Sequence, residues 1–326
     1  MGKKKVLFIG IGFYDYEESI IQEFEKLDYL VDYYSEVPPN SLAYRFYSRI
    51  KREEQLQLIR NRYSAKIAED CGSDYDVVFV IKCEYLSAEA ITIIKQKNAK
   101  ARYILYLWDS LDRIPQVEGK LHFFDNIYSF DRLDCLANHK LVFNPLFYRN
   151  EYLNDDDRED ESIYDIYHLG WYHSDRLKLI KKITRYCNEN HLKYKMILFA
   201  GYFSYLVQNI FGGELKGNKR HLTFKTFSAK MNVDYILKSK STLDIAHPQQ
   251  SGLTMRTIEL LGAQKKIITT NEDIINYDFY NPANIMVIDR EDPILNKDFF
   301  ESDYIPIPHS ILKQYSITNW LKKMLK

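Results

Sequence analysis

LDIAHPQQSGLTMRTIELLGAQKKIITTN, residues Leu243–Asn271, contains the most specific pattern of the chain. A short apolar run ends at His247, a polar turn leads into a helical pattern, and a β-branched run follows, which predicts a strand, a loop, a helix and a second strand. Arg256 and Glu259 are three residues apart and lie on one face near the start of that helix. A cation beside free N–H groups suits a phosphate, and a carboxylate one turn further suits ribose hydroxyls. The stretch is therefore typical of a nucleotide-diphosphate site.

Length and composition limit the class of protein. A chain of 326 residues exceeds one ordinary hydrophobic core, so we expect two domains. Its 45 basic and 45 acidic residues balance, and nucleic-acid binding is not expected. The four cysteines lack metal-ligand spacing and indicate a reducing compartment. No apolar run is long enough for a bilayer span or a signal peptide, which favours a cytoplasmic location.

Apolar runs alternate with helical patterns in two series, which is typical of parallel sheets covered on both faces. Between the series, Asn150–Ser162 is almost devoid of apolar residues and rich in acidic ones, and we interpret it as a solvated linker. Predicted helices cover residues 16–27, 41–70 (one long or two shorter), 88–96, 175–188 and 311–325. Predicted strands are Val6–Ile9, Tyr29–Tyr34, Asp76–Ile81, Tyr103–Leu107, Asn126–Ser129, Leu141–Phe143, Tyr164–Leu169, Met196–Ala200, His221–Phe227, the two in Leu243–Asn271, and Ile285–Ile288.

Ligands of parallel α/β sheets bind at the carboxyl ends of the strands, and two loops of the first series qualify. The first follows Gly10-Ile11-Gly12 but carries Asp15 where a dinucleotide fingerprint has its third glycine. A tight turn explains the two glycines, although the loop could also bring Asp15 to a cleft. The second loop holds Asp109 directly after a buried strand; alternatively, Asp109 or Ser110 caps the next helix. For Asp131, which also follows a strand, we favour capping.

The second series offers two further loops. Gly170 is predicted to be a turn, and Arg176 lies in the first helical turn, where it opposes the helix dipole. Phosphate binding would explain Arg176, with a salt bridge to the acidic linker as the alternative, and His173 could donate to an anion or be structural. In the fourth loop, Gln250 and its neighbours are rich in donors, and Gly252 permits close backbone approach to a ligand. Arg256 could instead pair with Glu259, but two helix starts with an arginine favour anion binding.

These segments carry a resemblance to a known family. Gly252–Glu259, with the following Leu260-Leu261-Gly262, resembles the donor-site motif of GT-B glycosyltransferases, and His168–Ile180 is similar to the start of their second Rossmann domain. Trp108–Ser110, Ser129–Asp131 and Pro145–Phe147 resemble enzymes of bacterial lipopolysaccharide and capsule biosynthesis in particular. The resemblance covers the whole chain. In one departure, the second Glu of the family's paired-Glu donor motif has no clean counterpart.

The resemblance implies an α/β fold of two Rossmann-like domains facing a central cleft: residues 1–150 for the acceptor, 163–310 for the donor, and a helix over 311–326 that packs back toward the first domain. It implies transfer of a hexose or pentose from a nucleotide sugar to a hydroxyl of a growing bacterial surface glycan, without a metal or a bound cofactor. A glycan or glycolipid acceptor would bring the protein to the inner face of the cell membrane. Glu259 would bind ribose, and Arg256 and Arg176 the diphosphate. The residues assigned to the donor are Gly170, His173, Arg176, Gln250, Ser251, Gly252, Thr254, Arg256 and Glu259.

Stereochemistry and substrate remain open at this stage. An inverting reaction needs a carboxylate to deprotonate the acceptor hydroxyl, and Asp15 and Asp109 are the candidates. A retaining reaction needs no such base. A nucleotide-sugar epimerase of the same fold and a non-catalytic nucleotide- or sugar-binding protein are the alternatives. The donor base, the sugar, the linkage and the oligomeric state are not determined by the sequence.

Overall fold

The structure, a computed structural model, describes residues 2–12, 16–39, 41–153, 162–173, 175–248 and 250–326. The chain divides into two compact units, and the described part of each contains a six-stranded parallel sheet. The first unit comprises residues 1–146, 250–252 and 317–326, and the second comprises residues 147–249 and 253–316. The prediction of two Rossmann-like α/β halves is confirmed.

The first unit is a doubly wound sheet. Its central strands are apolar apart from Arg102 at the start of one of them, because helices cover both faces of the sheet. Its strand order is β2-β1-β3-β4-β5-β6, so the direction of winding reverses between β1 and β3. The strands are β1 (Lys4–Gly10), β2 (Tyr29–Ser35), β3 (Val77–Ile81), β4 (Arg102–Leu107), β5 (Asn126–Ser129) and β6 (Leu141–Phe143). The helices are α1 (Tyr16–Lys26), α2 (Leu42–Arg49), α3 (Glu53–Asp70), α4 (Ala88–Lys97) and α5 (Arg132–Ala137), so residues 41–70 form the two shorter helices.

The second unit has the strand order of dinucleotide-binding folds, β12-β11-β10-β7-β8-β9, with its reversal between β7 and β10. Its strands are β7 (Tyr164–Trp171), β8 (Tyr194–Phe199), β9 (Leu222–Thr223), β10 (Ser239–Asp244), β11 (Lys266–Thr269) and β12 (Ile285–Val287). Its helices are α6 (Arg176–Glu189), α7 (Tyr202–Phe211), α8 (Ala229–Leu237), α9 (Met255–Gly262), α10 (Lys297–Glu301) and α11 (His309–Leu312).

Three expectations about residues 164–325 were wrong. Gly170 is not a turn: β7 continues to Trp171, and Gly170 pairs with Leu198 of β8. The strand expected over 221–227 is reduced to the two residues of β9, because a 3₁₀ turn precedes it and Ser228 caps α8 shortly after it. The helix expected over 311–325 is broken at Ser316, which has an extended conformation.

The last helix, α12 (Ile317–Leu325), belongs to the first unit. Trp320 lies edge-on to Tyr106, with 4.8 Å between ring centroids, and Thr318 donates a hydrogen bond to Glu23 of α1 at 2.7 Å. Of the acidic linker, Asn150–Tyr152 form a 3₁₀ turn, whereas residues 154–161 lie outside the described residues. No helix in the described ranges combines the length and the apolar character that crossing a bilayer requires.

Candidate functional site

The most informative part of the second unit is the carboxyl edge of its sheet between β7 and β10. Where the winding of a parallel sheet reverses, the helices that follow the two neighbouring strands lie on opposite faces of the sheet. A crevice then forms between the loops that join these strands to their helices. The loop after β7 leads to the start of α6 at Arg176, and the loop after β10 leads to the start of α9 at Met255. Both helices therefore present their N-terminal N–H groups, the positive end of the helix dipole, at this edge.

Backbone carbonyls at the strand ends hold three arginines in this region. Arg176 donates to the carbonyl of Trp171 at 3.2 Å and to that of Ile245 at 2.8 Å. Arg256 donates to the carbonyl of Leu169. Arg290, after β12, donates to the carbonyl of Ala246 at 2.9 Å. A carbonyl is a dipole and not a counter-charge, so these bonds orient the guanidinium groups without neutralising them.

The nearby carboxylates only partly offset these cations. Asp175 accepts two hydrogen bonds from Arg290, at 2.6 and 2.9 Å. Burial and then the charge of Arg256 lower the pKa of Arg176 to about 10, and Asp244 and Asp175 counteract this effect only in part. Three guanidinium groups beside two carboxylates leave a positive excess that an anion would balance.

The start of α9 is fixed by a buried carboxylate. Thr254 is the N-cap, and its hydroxyl accepts the N–H of Thr257 at 3.2 Å. Asp244 at the end of β10 in turn accepts the hydroxyls of Thr254 at 2.9 Å and of Thr257 at 2.5 Å. The Thr254 side chain thus holds the helix start in place beside the cations.

Two histidines at this edge are neutral near pH 7. His168 is buried and donates from Nδ1 to the carbonyl of Leu243 at 2.7 Å, since a carbonyl can only accept. Burial, followed by the charge of Arg256, holds the pKa of His168 well below its usual range. Burial and then Arg176 lower the pKa of His173 to about 4. Neither ring therefore adds to the positive charge of the free site.

Arg290 was missed by sequence reasoning. Its partner Asp175 is 115 positions away, so no local pattern joins them. The sequence nevertheless contained an indication, because Arg290 follows a predicted strand that ends at Ile288. Ligands bind at the carboxyl ends of such strands, and this argument, which selected Asp109, would also have selected Arg290.

Glu259 lies in the interior of the second unit, with 4% of its surface exposed. Its carboxylate is 3.7 Å from Nη2 of Arg149, which also contacts Glu151 at 2.7 Å. The 3₁₀ turn that follows Arg149 packs against α9, which explains the burial. Arg149 therefore lies beside this carboxylate as a counter-charge.

Residues 250–252 belong to the first unit, where Asp131 binds them. Ser251 donates its hydroxyl to the Asp131 carboxylate, at 2.7 and 2.6 Å from its two oxygens, and the Gly252 N–H donates to it at 3.1 Å. Gln250 accepts a hydrogen bond from Arg113 at 3.3 Å. A Cβ on Gly252 would lie 2.4 Å from the Phe130 ring, so this ring requires the glycine.

Asp109 and Asp131 lie at the carboxyl edge of the first unit's sheet. Asp131 caps α5, accepting the N–H groups of Leu133 and Asp134, so the capping prediction is confirmed. Ser110 makes no capping bond and instead donates to Asp131 at 2.6 Å, so the capping alternative is wrong for Ser110.

Asp109 and Asp15 are the two residues predicted to act as the catalytic base. Asp109 follows β4 and forms ion pairs with Lys82 at 3.1 Å and Arg113 at 3.4 Å. Asp15 lies outside the described residues.

No family model matches the sequence, and a comparison with curated proteins found no match. Solved structures do match. The lipopolysaccharide outer core galactosyltransferase WaaB, in its apo form, is 14% identical over 98% of this chain and 97% of that chain, with a TM-score of 0.53. Anabaena HepE in complex with UDP and glucose is 12% identical over 99% of each chain, with a TM-score of 0.59.

A third similar structure is the catalytic domain of starch synthase IV from Arabidopsis thaliana bound to ADP and acarbose. It is 7% identical over 100% of this chain and 98% of that chain, with a TM-score of 0.57. At these identities the similarities establish the fold, which is the GT-B fold expected from the sequence.

Proposed function

We propose that the protein is a glycosyltransferase that transfers a sugar from a nucleotide-sugar donor to a hydroxyl of a bacterial surface glycan. The observation that carries this proposal is the excess of positive charge between β7 and β10, where three arginines and two helix starts converge. A diphosphate would supply the missing negative charge and would relieve the repulsion from Arg256 that, after burial, lowers the pKa of Arg176. The solved structures of HepE with UDP and of starch synthase IV with ADP support a nucleoside diphosphate as the ligand class.

The same cations would act in the chemical step. Cleavage of the sugar–phosphate bond places negative charge on the departing diphosphate, and prearranged guanidinium groups stabilise that charge. Arg176, Arg256 and Arg290 would therefore serve as both binding and catalytic groups. We propose that this arrangement makes transfer independent of a metal, which predicts full activity in the presence of EDTA.

The remaining assignments follow from the sequence resemblance and the geometry together. Glu259 would accept the ribose hydroxyls in competition with Arg149. The first unit would bind a glycan or glycolipid acceptor, with Asp109 or Asp15 as the base if configuration inverts. The acceptor would hold the protein at the inner face of the cell membrane.

Isothermal titration with nucleoside diphosphates tests the donor site. We expect UDP, tested beside ADP, GDP, CMP and dTDP, to bind the wild type, and Arg176→Met to weaken binding about tenfold or more by removing one charge-assisted contact. Arg185→Met is the matched control, because Arg185 is an exposed arginine on the same helix. Binding of none of these nucleotides, or equal binding by the Arg176 variant, would overturn the proposal.

Turnover separates the enzyme classes. Transfer that requires an added acceptor and falls in Asp109→Asn supports an inverting glycosyltransferase. Epimerisation of the donor without an acceptor would support an epimerase, and nucleotide binding without turnover of any donor would support a non-catalytic binding protein.

A further inference from the structure

Helix α7 of the second unit has an unusual surface. Its sequence, YFSYLVQNIF, contains no charged residue. The apolar face of a helix is normally buried against a core, a partner or a membrane. In α7, however, six large side chains are between 37% and 82% exposed: Tyr202, Phe203, Leu206, Val207, Ile210 and Phe211.

Among the described residues, α7 contacts the rest of the unit through a narrow face. Tyr205 packs against Phe224, with 5.1 Å between ring centroids. Gln208, three residues further on the same face, accepts the N–H of Leu215 at 3.4 Å. A ten-residue helix has little stability of its own and depends on burial of its apolar side chains. Most of the apolar surface of α7 is therefore available to another surface.

The charge next to α7 indicates which surface that is. The segment after the helix, residues 212–225, carries four exposed basic residues (Lys216, Lys219, Arg220 and Lys225) and one acidic residue, Glu214. An apolar helix joined to a basic segment matches a bilayer with anionic headgroups, because the helix enters the acyl boundary and the cations contact the headgroups. A symmetric contact between two copies through α7 would bring two such basic segments to one interface, which is unfavourable.

We infer that α7 binds the surface of an anionic membrane. Phe203, Ile210 and Phe211, among the most exposed apolar side chains of the helix, insert below the headgroups, and the basic segment at residues 216–225 contacts lipid phosphates. The inference depends on the exposed helix and on the basic segment that follows it, and not on the proposed donor site. It locates membrane binding in the second unit and assigns it to named residues.

Co-sedimentation of the full chain with lipid vesicles tests the inference. The vesicles contain phosphatidylcholine alone or with phosphatidylglycerol. We expect the wild type to bind the phosphatidylglycerol vesicles, and Phe203→Ser/Ile210→Ser/Phe211→Ser to need about tenfold more lipid for half binding. Ile275→Ser/Ile294→Ser is the matched control: these two side chains of the second unit are 54% and 78% exposed but lie outside α7, and their replacement leaves binding unchanged.

A second variant, which removes charges from the basic segment, tests the same inference if the triple serine variant does not fold. Lys216→Gln/Lys219→Gln/Arg220→Gln leaves the helix intact and is expected to remove the preference for phosphatidylglycerol. Circular dichroism of each variant shows whether the chain is folded, and UDP binding measured beside it separates this inference from the proposed function. Three results would overturn the inference: no vesicle binding by the wild type, vesicle binding by both variants that equals that of the wild type, or a wild-type dimer that the α7 variant converts to a monomer.

Discussion

Arg290 and Asp175 are joined by two hydrogen bonds, 2.6 Å from Nε and 2.9 Å from Nη2 to the two carboxylate oxygens. The hydrogen bonds from Arg290 are the main reason that the pKa of Asp175 is lowered. Asp175 directly precedes α6, and Arg290 also donates to the carbonyl of Ala246 after β10. The pair therefore fixes the start of α6, and with it Arg176, against the neighbouring loop. Such a planar two-point contact gives geometric precision as well as energy.

Replacement of Arg290 by lysine tests this positioning role. Lys keeps the positive charge but cannot make the two-point contact, so we expect UDP affinity to fall about tenfold and the free energy of unfolding to fall by about 1 kcal/mol. Isothermal titration and urea unfolding measure the two effects. Arg185→Lys, on the exposed face of α6, is the control and should change neither. Unchanged UDP affinity in Arg290→Lys would show that charge alone suffices.

Gly252→Ala tests the contact with Phe130. The added Cβ would lie 2.4 Å from the ring, and we expect the free energy of unfolding to fall by about 1–3 kcal/mol as the ring is displaced. Gly119→Ala is the matched control, because a Cβ there has no atom within 4 Å. Phe130→Leu should make the alanine at position 252 less costly. Urea unfolding of the wild type, the three single variants and the Gly252→Ala/Phe130→Leu double variant checks this, and equal stability of both single alanine variants would refute the steric explanation.

Gly252 shows that contacts between residues distant in the sequence could not be predicted. A glycine before a helix start suggests close approach to a ligand, but the structure places the ring of a residue 122 positions earlier against it. The start of α9 and its arginine were predictable, because a strand–loop–helix pattern is local. The partners of Ser251 and Arg290 were not, since Asp131 and Asp175 are brought to them only by the fold. Periodicity likewise predicted the long apolar strands but overextended β9, which consists of two residues.

Glu36 predicts a pH dependence of stability in the first unit. Its buried carboxyl group accepts the N–H groups of Glu84 at 3.0 Å and of Tyr85 and Leu86 at 3.2 Å. Burial nevertheless dominates and raises the pKa of Glu36 to about 7. A raised pKa in the folded state stabilises the fold below the ordinary value of 4.5, and this stabilisation is lost as the pH rises through 7.

We therefore expect the free energy of unfolding of the wild type to fall by about 3 kcal/mol relative to that of Glu36→Gln when the pH rises from 4.5 to 7.5. Urea unfolding across this range measures the difference. Glu89→Gln, at an exposed position of α4, is the control, and its free energy of unfolding should change with pH as that of the wild type does. A constant difference between wild type and Glu36→Gln would mean that the three N–H bonds and the charge of Lys120 together offset burial completely.

His173 predicts that donor binding takes up a proton. In the free protein, burial and the charge of Arg176 lower the pKa of His173 to about 4, so the ring is neutral at pH 6. A diphosphate beside Arg176 would offset that charge and raise the pKa of His173. A group whose pKa is higher in the complex takes up protons on binding, so affinity should increase as the pH falls from 8 to about 5. UDP-glucose is the suitable probe, because its diphosphate is esterified at both ends and does not titrate in this range.

Titration calorimetry in buffers of different ionisation enthalpy gives the number of protons taken up. At pH 6 we expect a fractional uptake in the wild type and none in His173→Gln, which keeps a polar side chain of similar reach but cannot titrate. His191→Gln, in the turn after α6, controls for histidine titration elsewhere in the unit. Equal uptake by the wild type and His173→Gln would place the proton on another group. No uptake at all would mean that the diphosphate does not bind close enough to Arg176 to change the charge of its neighbour.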